Sequence, residues 1–133
     1  MAIQLSVAAR NGRLDAIETE AGASAILKIR TGAQPATCAT ADSGTVLATM
    51  NLPADYMSAA AAGVKSKLGT WSETAADAAG TAAHFRLYKT DGTTCVMQGS
   101  VGQGSGDLSL DNVVIALNQV VTITAFDLTD GNS

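Results

Sequence analysis

The fold is decided by residues 81–101, which read TAAHFRLYKTDGTTCVMQGSV. From residue 83 to residue 88, apolar and polar side chains alternate, a pattern typical of a β-strand with one buried face. Asp91-Gly92 follows, and its glycine tolerates the positive φ that a chain reversal needs. The returning run places Cys95 and Met97 on its apolar face. The stretch therefore predicts a β-hairpin with one apolar side that another layer must cover.

The opposite side of the first hairpin strand carries His84, Arg86 and Tyr88. His84 is expected at the surface or at an interface, and Tyr88 at the edge of the core or in a contact. His84 is the single histidine of the chain, and a catalytic base would need a nucleophile and an orienting acid beside it. No nucleophile-elbow pattern is present, so the hairpin indicates a fold and no chemistry.

Further runs with strand patterns lie on both sides of the hairpin. Strands are predicted at 24–30, 45–52, 64–71, 107–110, 113–117 and 120–128. A bulge near Ala125 would bring Phe126 into phase with Ile123, and Lys65 and Lys67 are expected on the exposed side of their strand. Seven or so short strands indicate a mainly β fold, either an antiparallel β-sandwich or a small barrel.

Two connecting segments have no strand pattern. Residues 31–44 form a predicted loop, because Pro35 and small polar residues rule out a regular element. Residues 54–63 are rich in alanine, which favours a short helix. An ordered loop anchored by Tyr56 and Met57 fits this segment about as well.

Residues 3–21 place apolar side chains at helical spacing and are followed by Gly22, a residue typical of helix ends. Asn11-Gly12 interrupts this N-terminal α-helix and weakens it in isolation. It should therefore pack on its own domain or be ordered by another chain. We divide the chain into a helix at 1–22 and a β-sandwich at 23–133, within one compact domain.

The bulk composition limits the partners. Charged residues make up 15% of the 133 residues and the net charge is −4, so no basic surface of the kind that binds nucleic acid is expected. No apolar run approaches the length that crosses a membrane. The N-terminus lacks the basic region of a secretion signal, so we expect it to belong to the mature protein.

Residues with reactive side chains are few. Cys38 and Cys95 are the two cysteines, and they either form a disulfide or remain two buried thiols. One histidine and scattered carboxylates do not make a metal site or a catalytic pair. We therefore predict no catalytic, cofactor-binding or metal-binding residues.

Nine stretches that are spread along nearly the whole chain, from residue 13 to residue 132, carry a resemblance to a known family. They read RLDAIE (13–18), AILKIRTG (25–32), PATCA (35–39), GTVLATMNLP (44–53), KLGTW (67–71), GTAAHFRLY (80–88), TCVMQGSV (94–101), DN (111–112) and TITAFDLTDGN (122–132). They resemble a family of small virion structural proteins of tailed bacteriophages and prophages, of the minor capsid or head decoration type. The chain departs from the usual pattern at Asn11-Gly12.

The resemblance implies a non-enzymatic protein on the capsid surface, made in the bacterial host cytoplasm and bound to the major capsid protein of the same phage. A neck, tail or fibre component is the nearer alternative, and a β-sandwich carbohydrate-binding module is disfavoured because aromatic residues are scarce. Threefold points of the shell favour a homotrimer. No nucleic acid or membrane partner is expected. The candidate partner contacts are Val7, Leu14, Ile17, Tyr56 and Trp71.

Overall fold

The computed structural model describes residues 3–130. One α-helix is followed by ten β-strands in this part of the chain. Their bounds are α1 Val7–Ala21, β1 Ile26–Arg30, β2 Val46–Asn51, β3 Val64–Ser66, β4 Ser72–Glu73, β5 Gly80–Thr81, β6 His84–Tyr88, β7 Cys95–Gly102, β8 Leu108–Leu110, β9 Val114–Ile115 and β10 Val121–Thr129.

Eight of these strands form one curled sheet in the order β2-β1-β6-β7-β8-β10-β3, with β4 also paired to β10. Neighbouring strands are antiparallel except β7 and β8, which run parallel. Strands β5 and β9 form a small second sheet. The predicted mainly β fold with an N-terminal helix is confirmed, and the sheet has the curvature of half a barrel.

The predicted hairpin is strands β6 and β7. Its turn is closed by Asp91, whose carboxylate accepts hydrogen bonds from the backbone nitrogens of Thr93 and Thr94 at 2.9 Å each. Hydrogen bonds from Thr94, followed by that from Thr93, lower the pKa of Asp91 to about 2. Gly92 has the positive φ expected for the reversal, at 72°.

A bulge changes which side of the hairpin Cys95 occupies. Met97 lies opposite Leu87, whereas Cys95 lies opposite Tyr88, and the register shifts between these two pairs. The intervening Val96 is the extra residue of the bulge. The prediction that Cys95 shares the apolar face with Met97 is therefore wrong.

The core lies inside the curl of the sheet and is centred on aromatic rings. The Phe126 ring lies 5.6 Å from both the Trp71 ring and the Phe85 ring, and Tyr56 lies 6.1 Å from Trp71. Phe126 reaches this position because β10 shifts register between Ile123 and Ala125, where the bulge was predicted. These separations are favourable for aromatic pairs.

Helix α1 packs on its own sheet. Leu14 is 4% exposed, and Asp15 and Glu18 each lie 2.8 Å from the ammonium nitrogen of Lys65. Lys65 is 1% exposed, so the prediction that it faces solvent is wrong. The reason is that the helix supplies two carboxylates to its ammonium group, which also donates to the Ser58 carbonyl.

Residues 54–63 form the ordered loop rather than the short helix. Tyr56 and Met57 are both buried, as that alternative required. The Tyr56 hydroxyl donates to the carbonyl of Gly22 at 3.1 Å, and Trp71 Nε1 donates to the Tyr56 carbonyl at 3.1 Å. The loop thus ties the end of α1 to the aromatic core.

Truncation of a core ring tests this packing. Phe85→Ala should lower the free energy of unfolding by roughly 3–5 kcal/mol, because it removes a buried aromatic side chain and leaves a cavity. Chemical denaturation measures this loss. The exposed Val120→Ala is the control and should change the free energy by less than about 0.5 kcal/mol. A loss well under 1 kcal/mol for Phe85→Ala would contradict the assigned orientation of β6.

Candidate functional site

The outer side of strand β6 is covered by residues 31–45, called here the cover loop. His84, Arg86 and Tyr88 are 1%, 2% and 0% exposed. The expectation that His84 lies at the surface or at an interface is therefore wrong, and all three side chains lie inside the fold. They are buried because the cover loop folds back over the sheet and supplies polar partners to them.

Arg86 makes most of the contacts that hold the cover loop. Its Nη1 donates to Asp42 Oδ1 at 2.7 Å, and its Nη2 donates to the carbonyls of Thr37 and Thr40 at 2.9 Å each. Its Nε donates to Gln98 Oε1 at 3.0 Å. The planar guanidinium thus binds a charge and two backbone carbonyls of one loop at once.

Asp42 is the acidic centre of the same cluster. Besides Arg86, it accepts hydrogen bonds from Arg30 Nη2 at 3.0 Å and from the Tyr88 hydroxyl at 2.6 Å. Partial burial raises the pKa of Asp42, but the hydrogen bonds from Tyr88 and Arg86 and the charge of Arg30 outweigh burial, so the pKa lies below its ordinary value. Burial and the bond to Asp42 raise the pKa of Tyr88 to about 12.

His84 is held by the cover loop through one ring nitrogen. Its Nδ1 donates to the carbonyl of Gly32 at 2.9 Å, since a carbonyl can only accept. Within residues 3–130, its buried Nε2 makes no hydrogen bond, and neither does Arg30 Nε. A catalytic triad would pair one ring nitrogen with a carboxylate and the other with a nucleophile, and His84 has neither arrangement.

The two cysteines meet at the edge of this cluster. Cys38 lies on the cover loop, Cys95 begins β7, and their Sγ atoms are 2.6 Å apart. Burial, followed by the hydrogen bond to Cys38, raises the pKa of the Cys95 thiol to about 12. The two sulfurs are unbonded and half-buried in this structure, and the cover loop lies over the hairpin, as the disulfide alternative requires.

A groove of about 500 Å³ between α1 and β7 leads to Cys38. We call it the helix groove. It is lined by Ala16, Ile17, Glu20, Cys38, Val96, Met97 and Gln98. These side chains are mostly apolar, and Ile17 is half-buried among them.

The five predicted contact residues divide into two groups. Leu14, Tyr56 and Trp71 are buried inside the chain, at 4%, 0% and 2% exposure. They support the helix and the core from within. Val7 is 49% exposed and Ile17 lines the helix groove, so these two remain predictions as partner contacts.

The residues predicted as partner contacts do not include the three exposed aliphatic residues that lie closest together along the chain. Val114, Leu117 and Val120 are 63%, 59% and 54% exposed, and they surround the turn between β9 and β10. We call these three residues the apolar tip. The sequence predicts a strand at 113–117, and only Ile115 within it is buried. The signal available in the sequence was the predicted turn at Asn118 and Gln119, beside the exposed residues.

Two carboxylates also lie closer together than the sequence indicated. Thr49 bridges them, because its nitrogen donates to Glu73 Oε2 at 2.6 Å and its hydroxyl donates to Asp77 Oδ2 at 2.8 Å. Burial and the negative charge of Asp77 raise the pKa of Glu73. The hydrogen bond from the Thr49 nitrogen lowers this pKa, but it does not cancel the increase. Neither carboxylate lines the helix groove, so no cleft joins them to a substrate there.

Two other grooves, of about 520 and 430 Å³, share Asp107, Phe126 and Asp127. Asp107 is occupied by the chain itself, because it accepts hydrogen bonds from the nitrogen and hydroxyl of Ser100 at 2.9 and 3.1 Å. Among residues 3–130, no three histidine, cysteine, aspartate or glutamate side chains are grouped as metal ligands.

Comparison with protein-family models, curated proteins and solved structures found no significant match to this chain. Within the described part of the chain, no helix has the length and apolar character needed to cross a bilayer.

Neutralising Asp42 tests the cluster. Asp42→Asn should lower the free energy of unfolding at pH 7 by about 2 kcal/mol, less than the ~3–5 expected for a fully buried pair because its side chain is 37% exposed. Since the folded-state pKa is depressed, the charge contribution is present at neutral pH and is lost as the pH falls below about 4. Urea titrations at several pH values measure this difference.

The exposed Asp55→Asn is the matched control and should leave stability within about 0.5 kcal/mol of wild type. A difference between wild type and Asp42→Asn that stays constant down to pH 2.5 would contradict a stabilising carboxylate at this position.

Proposed function

We propose that this protein is a non-enzymatic structural protein of a bacteriophage virion. Its most specific form is a head decoration protein that binds the major capsid protein and stabilises the shell. The chain would be made in the cytoplasm of the bacterial host and act on the capsid surface. The family resemblance of the nine sequence stretches is what suggests the virion, and the surface of the fold supports a binding role.

The observation that carries the binding role is the apolar tip. Three large aliphatic side chains, Val114, Leu117 and Val120, each expose more than half of their surface within one seven-residue stretch. Single exposed apolar residues are ordinary, whereas three in one short stretch favour a contact with another protein over chance exposure. Burying such side chains contributes about 25 cal/mol for each Å² removed from water.

The placement of charges and aromatic rings supports the same reading. Lys65, Arg30 and Arg86 are all buried and bound to carboxylates of the chain itself, so they strengthen the fold rather than receive a ligand. All five aromatic residues are buried. Carbohydrate-binding sites stack sugars on exposed rings, so this distribution gives the carbohydrate-binding alternative no support.

A homotrimer is the oligomer we propose, because decoration of a closed shell at its threefold points matches that symmetry. In such a trimer the apolar tip contacts either the shell or a neighbouring copy. The half-exposed Val7 on α1 is the second candidate contact.

Analysis of intact particles tests the proposal. In phage particles whose genome encodes this chain, mass spectrometry should detect it in amounts comparable to the major capsid protein. Cryo-electron microscopy should place its density on the head at threefold positions. Density at the neck or tail would assign it to those structures instead, and absence from purified particles would overturn the virion assignment.

A charge in the apolar tip tests the contact surface. Leu117→Asp should leave the unfolding free energy within about 1 kcal/mol of wild type because Leu117 is already exposed, yet reduce binding to particles lacking the protein by at least tenfold. Thr70→Asp introduces the same charge at another exposed site and is the matched control. Equal loss of binding in both variants would point to net charge rather than the tip.

A further inference from the structure

The sulfur atoms of Cys38 and Cys95 face each other between the cover loop and strand β7. Their separation of 2.6 Å is within about 0.6 Å of a disulfide bond. We propose that the two cysteines form an intrachain disulfide that locks the cover loop onto β7, and that the oxidant enters through the helix groove. This inference does not depend on the proposed function.

The backbone on both sides of Cys38 is held in place independently of the sulfur contact. Gln98 Nε2 donates to the Pro35 carbonyl at 2.7 Å, and Arg86 binds the carbonyls of Thr37 and Thr40. Three hydrogen bonds therefore fix the five residues around Cys38 against the outer side of β6 and β7. Cys95 is held on β7 because it pairs with Tyr88 of the neighbouring strand β6. The two thiols are thus preorganised by the fold.

The helix groove explains how an oxidant reaches this pair. Cys38 lines the groove, whereas Cys95 is not among its lining residues. An incoming disulfide therefore meets Cys38 first. The groove volume of about 500 Å³ is enough for a small peptide disulfide.

The bond forms by two exchange steps with a low-molecular-weight disulfide as the oxidant. The Cys38 thiolate attacks one oxidant sulfur, forms a mixed disulfide and releases the first small thiol. Cys95 then loses its proton to solvent and attacks Cys38 Sγ, which forms the intrachain bond and releases the second small thiol. Two protein thiols are oxidised, and the one disulfide of the oxidant is reduced. Burial raises the pKa of the Cys95 thiol above its ordinary value, so the second step should quicken as the pH rises from 7 to 9.

The bond would join residues separated by 57 positions. Closing so large a loop restricts the unfolded chain and stabilises the folded state. It would also hold the cover loop over the Arg86–Asp42 cluster even when acid neutralises Asp42.

The test uses the full chain, purified under reduction and incubated with oxidised glutathione at pH 8. The reaction is quenched with N-ethylmaleimide in denaturant, and the intact mass is measured. We expect the mass of the chain less two hydrogens, with no maleimide or glutathione adduct. Two maleimide adducts, a persistent glutathione adduct or a disulfide-linked dimer would each overturn the proposal.

Single variants test the order of the steps. Cys95→Ser should retain glutathione on Cys38, because the resolving thiol is absent. At pH 7, Cys38→Ser should acquire glutathione on Cys95 at least tenfold more slowly than Cys95→Ser acquires it on Cys38. Faster modification of Cys95 than of Cys38 would overturn entry through the helix groove.

Melting temperature tests the lock itself. The oxidised chain should melt on the order of 10 °C above the reduced chain. The double variant Cys38→Ser/Cys95→Ser is the control and should melt at one temperature with or without reductant. Equal melting of oxidised and reduced wild type, or the same shift in the double variant, would overturn a locking role for the bond.

Discussion

The ion pair between Arg86 and Asp42 is the interaction on which the rest of this structure depends. A guanidinium on a central strand is tolerable in the interior only when its donors are satisfied. The cover loop supplies the hydrogen-bond acceptors for this guanidinium, namely one carboxylate and two backbone carbonyls. In return, a loop of fifteen or so residues with no secondary structure acquires a fixed conformation. Without the pair, the cover loop would lose the charged contact that holds it over the outer side of β6.

The hairpin is consequently buried on both sides by different physical means. Its inner side packs Phe85 and Leu87 against an aromatic core. There, removal of apolar surface from water provides the stability. Its outer side is held by hydrogen bonds and charge, which depend on pH and on exact partner geometry. The same division recurs at α1, where Leu14 is buried beside the Lys65 ammonium and its two carboxylates.

This use of polar groups shapes what the surface can do. Side chains that could have formed a reactive site, such as His84 and Arg86, are turned inward and engaged with the backbone. What remains outside is a surface of low charge with aliphatic residues grouped at the apolar tip. Exposed aliphatic side chains of this kind are suited to binding another protein, as the proposed place in a virion shell requires.

By itself, the sequence determined the N-terminal helix, the longer strands and the class of fold. Period-two alternation and the Asp91-Gly92 turn were enough to predict the hairpin. The change of phase in the last strand was enough to predict the bulge near Ala125. Both are local signals, because they follow from side-chain direction and backbone φ within a few residues.

Only the tertiary structure decided which polar residues are buried. Alternation separates two sides of a strand, but it does not say what covers the second side. That cover comes from Asp42, forty-four positions from Arg86, in a loop with no periodic pattern. For the same reason, Lys65 looked exposed until α1 brought its carboxylates to it. The approach of Cys38 to Cys95 likewise depends on long-range packing and on a one-residue bulge. Local sequence patterns predict neither of these features.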